Sequence, residues 1–373
     1  MKMARLTSSG HVSGGSISPD GKYAGYAVED TEGFTLRIRH VATGSDVQVV
    51  PPLPTPFRGA CFSPDNNYIY YVNQETGGPG YSLLYQVPVL GGPVRKLLWD
   101  IDSAVSFSPD GKEFAFLRGY PDASESVLMV ANANGTGERK LAVHKDPAGF
   151  PLLAPSWSPD GKRIAAISSG APGEGRHKLV EITVADGKER VIGDRGWFDI
   201  TGVAWLPDGS ALALAASDQR GSFSGQIWLV SYPRGEPRRV SNDLNDYEGI
   251  SITADATTLA TVQTNLISNL WVVPASDTNA AKQITSGSAR EDAIVDLAAA
   301  SSGSVVFTSR DNGAAQIYRI GADGTRRTPL TLEATVHANP TVSRDGKVIA
   351  FTAIGEDNTP HIWTMDADGG DLK

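Results

Sequence analysis

The sequence lacks features that mark several large classes of protein. It contains a single cysteine, Cys61, so no disulfide can form within its 373 residues. The 33 Lys and Arg residues are outnumbered by 42 Asp and Glu residues and form no basic run, which argues against nucleic acid as a partner. No apolar run approaches the ~18 residues that a membrane-spanning helix needs.

Signals for export and for catalysis are missing as well. The N-terminus has no apolar signal region, which predicts a cytoplasmic protein if Met1 is the native start. In the Gly221–Gly225 segment, Phe223 stands where a hydrolase elbow would place its nucleophile. There is no phosphate-binding loop, and no two of the six histidines have metal-ligand spacing. We therefore predict no catalytic site, no metal and no cofactor.

What the chain does have is glycine, proline and a recurring turn. The motif Ser-Pro-Asp-Gly-Lys at residues 18–22 returns at steps of 45 to 50 residues, with an eroded copy around residues 301–304. A fixed period in this range indicates a repeat architecture. The motif aspartates are Asp20, Asp65, Asp110, Asp160, Asp208, Asp255 and Asp345. We attribute these carboxylates to turn formation and not to a functional ring, because Asp in such a turn bonds its own backbone.

Each repeat reads as four antiparallel strands, with a large apolar residue such as Phe62 or Trp157 two positions before the proline. Repeats of this kind predict an all-β fold, an eight-bladed β-propeller of four-stranded antiparallel blades in a single domain over 1–373. The last repeat ends after its third strand, so we expect residues 4–9 to supply its fourth strand and close the ring. A seven-bladed ring is the alternative, if the copy near Ser302 is not a full blade.

The repeated apolar-Ser-Pro-Asp-Gly-Lys pattern resembles that of the TolB-like propellers over the whole chain. The segments 3–7, 41–44 and 84–88 further resemble the C-terminal propeller of bacterial transmembrane serine/threonine kinases. That resemblance implies an extracytoplasmic sensor or docking part, without phosphoryl transfer in this chain.

Residues between the blades are the candidates for binding. Aromatic and arginine side chains beside carboxylates in exposed loops are typical of protein-binding hot spots. We predict that they bind a protein, peptide or glycan fragment; the alternative is that they merely pack between blades. The candidates are Phe57, Arg58, Trp197, Phe198, Asp199, Tyr247, Glu248, Arg290, Glu291, Asp292 and His337.

Three functions follow, in order of preference. The first is the non-catalytic sensor propeller of a bacterial membrane kinase. The second is a free periplasmic scaffold for envelope proteins, like TolB. The third is the gating propeller of a prolyl-oligopeptidase-like serine peptidase, whose hydrolase domain would lie outside these residues.

Overall fold

The computed structural model is built almost entirely of β-strands, with one short 3-10 helix at Pro121–Ala123. It describes residues 3–8, 10–75, 80–145, 148–170, 176–218, 225–243, 245–265, 268–274, 276–277, 279–286, 297–300, 303–309, 315–332, 336–354 and 360–373. Its contacts divide the chain into two compact units, which are described separately. Unit 1 is Met1–Ser217 with Ser224–Thr264, and unit 2 is Asp218–Phe223 with Asn265–Lys373.

Unit 1 contains five four-stranded sheets and one two-stranded sheet, each antiparallel and each with its strands in chain order. Sheet A is β1 (Val12–Ile17), β2 (Tyr23–Asp30), β3 (Gly33–His40) and β4 (Asp46–Leu53). Sheet B is β5 (Phe57–Phe62), β6 (Tyr68–Gln74), β7 (Ser82–Pro88) and β8 (Arg95–Trp99). Sheet C is β9 (Ser106–Phe107), β10 (Glu113–Tyr120), β11 (Glu125–Asn132) and β12 (Arg139–Lys145).

The remaining sheets of unit 1 follow the same order. Sheet D is β13 (Ser156–Trp157), β14 (Arg163–Ser168), β15 (Lys178–Thr183) and β16 (Glu189–Val191). Sheet E is β17 (Asp199–Trp205), β18 (Ala211–Ser217), β19 (Gln226–Ser231) and β20 (Pro237–Arg239). Sheet F is β21 (Asp246–Ile252) and β22 (Leu259–Thr264).

The repeated motif forms the hairpin turn between the first two strands of a sheet. The Ser18 hydroxyl donates to Asp20 Oδ1 at 2.7 Å and accepts from the Tyr23 N–H at 2.9 Å, while the Lys22 N–H donates to Asp20 Oδ1 at 3.0 Å. The same bonds recur at Asp65, Asp110, Asp160, Asp255 and Asp345. These aspartates are therefore turn-forming residues, as the sequence predicts.

The six sheets of unit 1 close on one another. A first-strand serine bonds the next sheet's first strand: Ser106 Oγ accepts from Trp157 N at 2.9 Å, and Ser156 Oγ from Trp205 N at 3.0 Å. The same bond joins the last sheet of the unit to the first, where Ser251 Oγ accepts from Ile17 N at 3.0 Å. Strand β1 accordingly contacts both β21 and β22. The sixth repeat of unit 1 thus contacts the first repeat and closes the set of six sheets.

Unit 2 carries the last two repeats and a separate hairpin. The hairpin is β23 (Trp271–Val272) with β24 (Lys282–Gln283). Sheet G is β25 (Leu297–Ala300), β26 (Ser304–Ser309), β27 (Gln316–Gly321) and β28 (Thr328–Pro329). Sheet H is β29 (Val336–Val342), β30 (Val348–Ile354) and β31 (Pro360–Asp366). Val306 and Ile317 of sheet G, with Leu330 just after β28, pack against Ile349, Phe351 and Met365 of sheet H.

The all-β class, the four-stranded antiparallel sheets and a hairpin at every repeat are confirmed. Even the eroded copy forms one, since β25 and β26 pair from Leu297↔Phe307 to Ala300↔Ser304. The eight-bladed ring is not confirmed, because the first six repeats already close within unit 1. The strand predicted at residues 4–9 is wrong: residues 3–8 lie outside any strand, and sheet H has three strands in the part of the chain described. The single domain over 1–373 stays a prediction.

Candidate functional site

The predicted binding residues of unit 1 lie at one end of their sheets. Phe57 and Asp199 are the first residues of β5 and β17, opposite Asn73 and Ser217 at the ends of the second strands. Asp246 begins β21 in the same position. The repeat therefore places these segments as the spacing predicts, although only some of their side chains reach solvent.

Two of the aromatic candidates are core residues. Trp197 is 2% exposed and Tyr247 is fully buried. Trp197 packs edge-on against Trp228 with ring centroids 5.2 Å apart. The Tyr247 hydroxyl donates to Asp243 Oδ2 at 2.8 Å. Both rings fill space between neighbouring strands, which is the alternative that the sequence leaves open for these two residues.

The other candidates differ in their exposure. Phe57 is half-buried against Tyr71, and the exposed Arg58 pairs with Asp102 at 3.6 Å. Glu248 is exposed, whereas His337 of unit 2 is 2% exposed and packs edge-on against Phe351. The prediction of a loop histidine at 337 is therefore wrong. Arg290, Glu291 and Asp292 lie outside the described residues.

Arginines and aromatic rings converge beside the Trp197 segment. We call Arg176, Arg195, Trp197, Phe198, Trp228 and Arg239 the arginine–aromatic cluster. Its base is a pair of backbone bonds: His177 N donates to Trp197 O at 2.6 Å, and Trp197 N to His177 O at 2.8 Å. A Cβ on Gly196 would lie 2.6 Å from Arg176 Cδ, so this approach requires glycine. The bridge fixes Phe198 next to the end of β18 through its N–H bond to Ser217 O.

Three guanidinium groups lie over the rings of this cluster. Arg176 Cζ is 5.1 Å from the Phe198 ring centroid. Arg195 Cζ is 5.0 Å from the Trp197 ring and 4.9 Å from the Trp228 ring. Arg239 Cζ is 5.8 Å from the Trp228 ring. Each contact contributes about 0.5–1 kcal/mol at an exposed site and holds a flexible side chain in one place.

The charges on two of these arginines have no carboxylate partner. Arg176 and Arg239 are exposed, and neither forms an ion pair among the residues that the structure describes. Most other arginines near carboxylates are paired, as Arg37 is with Asp46 and Arg190 with Glu181. The cluster therefore presents ordered, available positive charge on a chain whose formal net charge is −9.

Sequence reasoning found Trp197 and Phe198 but missed the arginines around them. Arg176 lies between the second and third strands of sheet D, two residues before β15 begins. Arg239 lies in the fourth strand of sheet E, where a charged residue commonly protects the sheet edge from pairing with another chain. The cross-strand pair Trp228↔Arg239 makes it part of the site instead.

A serine, a histidine and a glutamate also meet in unit 1, between sheets C and D. Ser168 Oγ lies 3.5 Å from His144 Nδ1, and His144 Nε2 lies 2.6 Å from Glu189 Oε2. His144 Nδ1 is also 2.9 Å from the carbonyl oxygen of Ala148, which can only accept a hydrogen bond. Both ring nitrogens therefore donate, so the imidazole cannot act as a base toward Ser168. The group joins two sheets and is not a hydrolytic triad.

This histidine gives the stability of unit 1 a pH dependence. The bond to Glu189, foremost, raises the pKa of His144 above its ordinary value. Its stabilisation is therefore complete below about pH 6.5 and is lost as pH rises through the folded-state value. We expect His144→Gln to lower the free energy of unfolding by about 0.5–1 kcal/mol at pH 6, and by less at pH 8.5.

Urea unfolding of both proteins at several pH values checks this. Glu189→Gln is the matched control, because it removes the same pair from the other side and should give the same pH profile. A loss that stays constant between pH 6 and 8.5 would show that His144 stabilises the sheets only by packing on Phe150, 3.9 Å away.

Within the described ranges, no three or more His, Cys, Asp or Glu side chains are arranged to hold a metal ion. None of the helical residues described forms a helix long and apolar enough to cross a bilayer.

Comparisons with known proteins give partial likenesses. No protein-family model matches the chain. Dipeptidyl-peptidase 5 of Porphyromonas gingivalis is 29% identical over 170 residues, which cover 41% of this chain and 24% of that protein. The chain thus matches about a quarter of the length of this relative.

Solved structures match over more of the chain but with little identity. A chain of a nidogen/laminin complex has a TM-score of 0.50 at 13% identity, covering 64% of this chain and 84% of that one. TolB from Acinetobacter baumannii has a TM-score of 0.43 at 15% identity, covering 94% and 80%. These likenesses concern the fold alone. The repeated four-stranded antiparallel sheets are typical of β-propeller blades, and the resemblance to kinase propellers stays a prediction.

Proposed function

We propose that this chain is a non-catalytic propeller module that docks a protein partner through an acidic peptide segment. The arginine–aromatic cluster is the proposed contact surface. The observation that carries the proposal is that Arg176 and Arg239 are held over aromatic rings without a carboxylate partner in the described structure.

A guanidinium ordered in this way is prepared to bind a carboxylate. It has five donors in a planar fork, and it has already lost part of its rotamer freedom to the ring beneath it. Less entropy is then lost when a partner binds, which favours affinity. Since the whole chain is acidic, only such a local group of cations would attract an acidic segment, and salt would weaken the attraction.

Charge reversal of these two arginines tests the proposal. A fluorescein-labelled peptide of alternating Glu and Ala residues serves as the probe, read by fluorescence anisotropy at low salt. We expect Arg176→Glu with Arg239→Glu to raise its Kd at least about tenfold, which is about 1.4 kcal/mol. Both side chains are exposed, so the double variant should keep its fold.

The control is Arg95→Glu with Arg344→Glu, which changes the net charge by the same amount at two exposed arginines outside the cluster. It should leave the Kd within about threefold of the wild-type value. Equal losses in both double variants, or no binding of the acidic peptide by the wild type, would reject the proposed surface.

For the parent protein we propose the sensor propeller of a bacterial membrane serine/threonine kinase, outside the cytoplasm. The support for this is the motif resemblance in the repeats and in segments 3–7, 41–44 and 84–88. A free periplasmic scaffold like TolB is an alternative with the same repeat.

A second candidate has its own observation. The 170-residue similarity to a dipeptidyl-peptidase favours the propeller part of a serine peptidase, which would hold its hydrolase domain elsewhere in the full protein. The coding sequence on both sides of these residues separates the candidates. A kinase core with a membrane span supports the first, a signal peptide the scaffold, and a Ser-Asp-His hydrolase domain the peptidase.

A further inference from the structure

The third strand of sheet H is far more exposed than its counterparts. Ile227 of β19 is 1% exposed and Ile317 of β27 is fully buried. The pairing of β30 with β31 places Ile362 in the equivalent position of its sheet. Ile362 is nevertheless 84% exposed, and Trp363 next to it is 37% exposed. The aliphatic position that sheets E and G bury is therefore open in sheet H.

In sheet E, the two residues that follow the fourth strand bond both backbone groups of Ile227. In sheet E, Val240 N donates to Ile227 O at 2.7 Å, and Ser241 Oγ accepts from Ile227 N at 2.9 Å. The aliphatic residue thus bonds the carbonyl oxygen of the third-strand residue. The hydroxyl of the next residue bonds the N–H of that same third-strand residue. We call this pair of bonds the edge clip.

Unit 2 contains the edge clip twice, each time with an aliphatic residue followed by threonine. Leu330 N donates to Ile317 O at 2.8 Å and Thr331 Oγ1 accepts from Ile317 N at 2.9 Å. In the separate hairpin, Ile284 N donates to Leu270 O at 2.9 Å and Thr285 Oγ1 accepts from Leu270 N at 2.8 Å. In all three places the bonds come from an aliphatic residue followed by Ser or Thr.

Sheet H has only part of its outer edge paired. Lys373 and Thr364 exchange backbone hydrogen bonds at 2.8 and 2.9 Å, so the backbone groups of Thr364 on the outer edge of β31 are paired. Beside Ile362, no residue in the described ranges makes the edge clip. An unpaired strand edge with exposed apolar side chains is a site at which an extended peptide can add as a further strand.

We propose that β31 binds an extended peptide of a partner protein, in which an aliphatic residue is followed by Ser or Thr. The peptide adds beside Ile362: its aliphatic N–H donates to Ile362 O, and its hydroxyl accepts from Ile362 N. Its aliphatic side chain covers the open apolar surface of Ile362. This surface is separate from the arginine–aromatic cluster and does not depend on the function proposed there.

The probe is a labelled peptide, Ala-Lys-Gln-Ile-Thr-Ser, which copies residues 281–286. We expect it to bind the full chain by anisotropy, and a peptide with Val in place of Thr to bind at least tenfold more weakly. Ile362→Pro removes the N–H that would donate to the peptide hydroxyl, at an edge position where proline is tolerated, and should abolish binding. Ile362→Ala keeps the N–H and should retain most of it. Circular dichroism checks that both variants are folded.

Equal binding of the Thr and Val peptides, or full binding by Ile362→Pro, would overturn the proposal. Residues 5–7 of this chain, Arg-Leu-Thr, carry the same pattern, so a variant lacking residues 4–8 is assayed in parallel. If the wild type binds no peptide and this variant does, the chain's own N-terminal segment is the occupant and a partner peptide is excluded.

Discussion

Trp197→Ala is expected to lower the free energy of unfolding by about 3–5 kcal/mol, the usual cost of removing a large buried ring. The ring is 2% exposed and belongs to the core shared by sheets D and E, with Ile167, Leu179 and Leu214 among its members. The substitution leaves a cavity beside Trp228 and uncovers the ring on which Arg195 lies. Urea unfolding followed by circular dichroism measures the loss.

Trp99→Ala is the control, because that ring is 54% exposed at the end of β8. It should change stability by less than about 0.5 kcal/mol. A small effect at both positions would mean that Trp197 is a surface residue and not a member of this core. The result also decides how binding experiments are designed: any loss of partner binding in Trp197 variants reports unfolding before it reports a contact.

Gly235→Ala is expected to destabilise unit 1 by about 2–5 kcal/mol, for two reasons that add. Gly235 has φ +76° in the turn between β19 and β20, a conformation that strains residues with a side chain. In addition, a Cβ there would lie 2.2 Å from Gly193 Cα and 2.3 Å from Gly193 N. This clash is with backbone, so no side-chain rotation relieves it.

Gly91→Ala separates the two causes. Gly91 has φ +83°, but a Cβ there meets nothing within 4 Å. Its substitution should cost only the conformational strain, about 1–2 kcal/mol. Chemical denaturation of the two variants measures the difference, and equal losses would show that the turn at Gly235 moves away from Gly193 without cost.

The sequence predicts what depends on neighbours in the chain. The Pro-Asp-Gly turns and their strands follow from local chemistry, since Ser18, Asp20 and Tyr23 complete their bonds within six residues. The local sequence does not predict which sheet closes against the first one. The bond between Ser251 and Ile17 depends on the packing of all the intervening sheets, and nothing in either residue's local sequence specifies it.

The candidate site was predicted in its position but not in its composition. Trp197 follows a fourth strand, so a loop position was a reasonable expectation. An isolated backbone bridge to His177 holds Trp197 beside sheet D, where its indole ring is buried. Arg176 reaches the same place from a different part of the repeat, and only three-dimensional proximity to Phe198 reveals its role.

The bond from Ile17 to Ser251 also bears on how the protein forms during synthesis. Its two residues are 234 positions apart, and contacts at such separation form late and slowly. As the chain leaves the ribosome, β1 has no neighbour on one side until residue 251 and its flanking strands have emerged. During that interval one side of the first sheet is uncovered and can associate with other nascent chains. Chaperone protection early in translation should therefore raise the yield of folded protein.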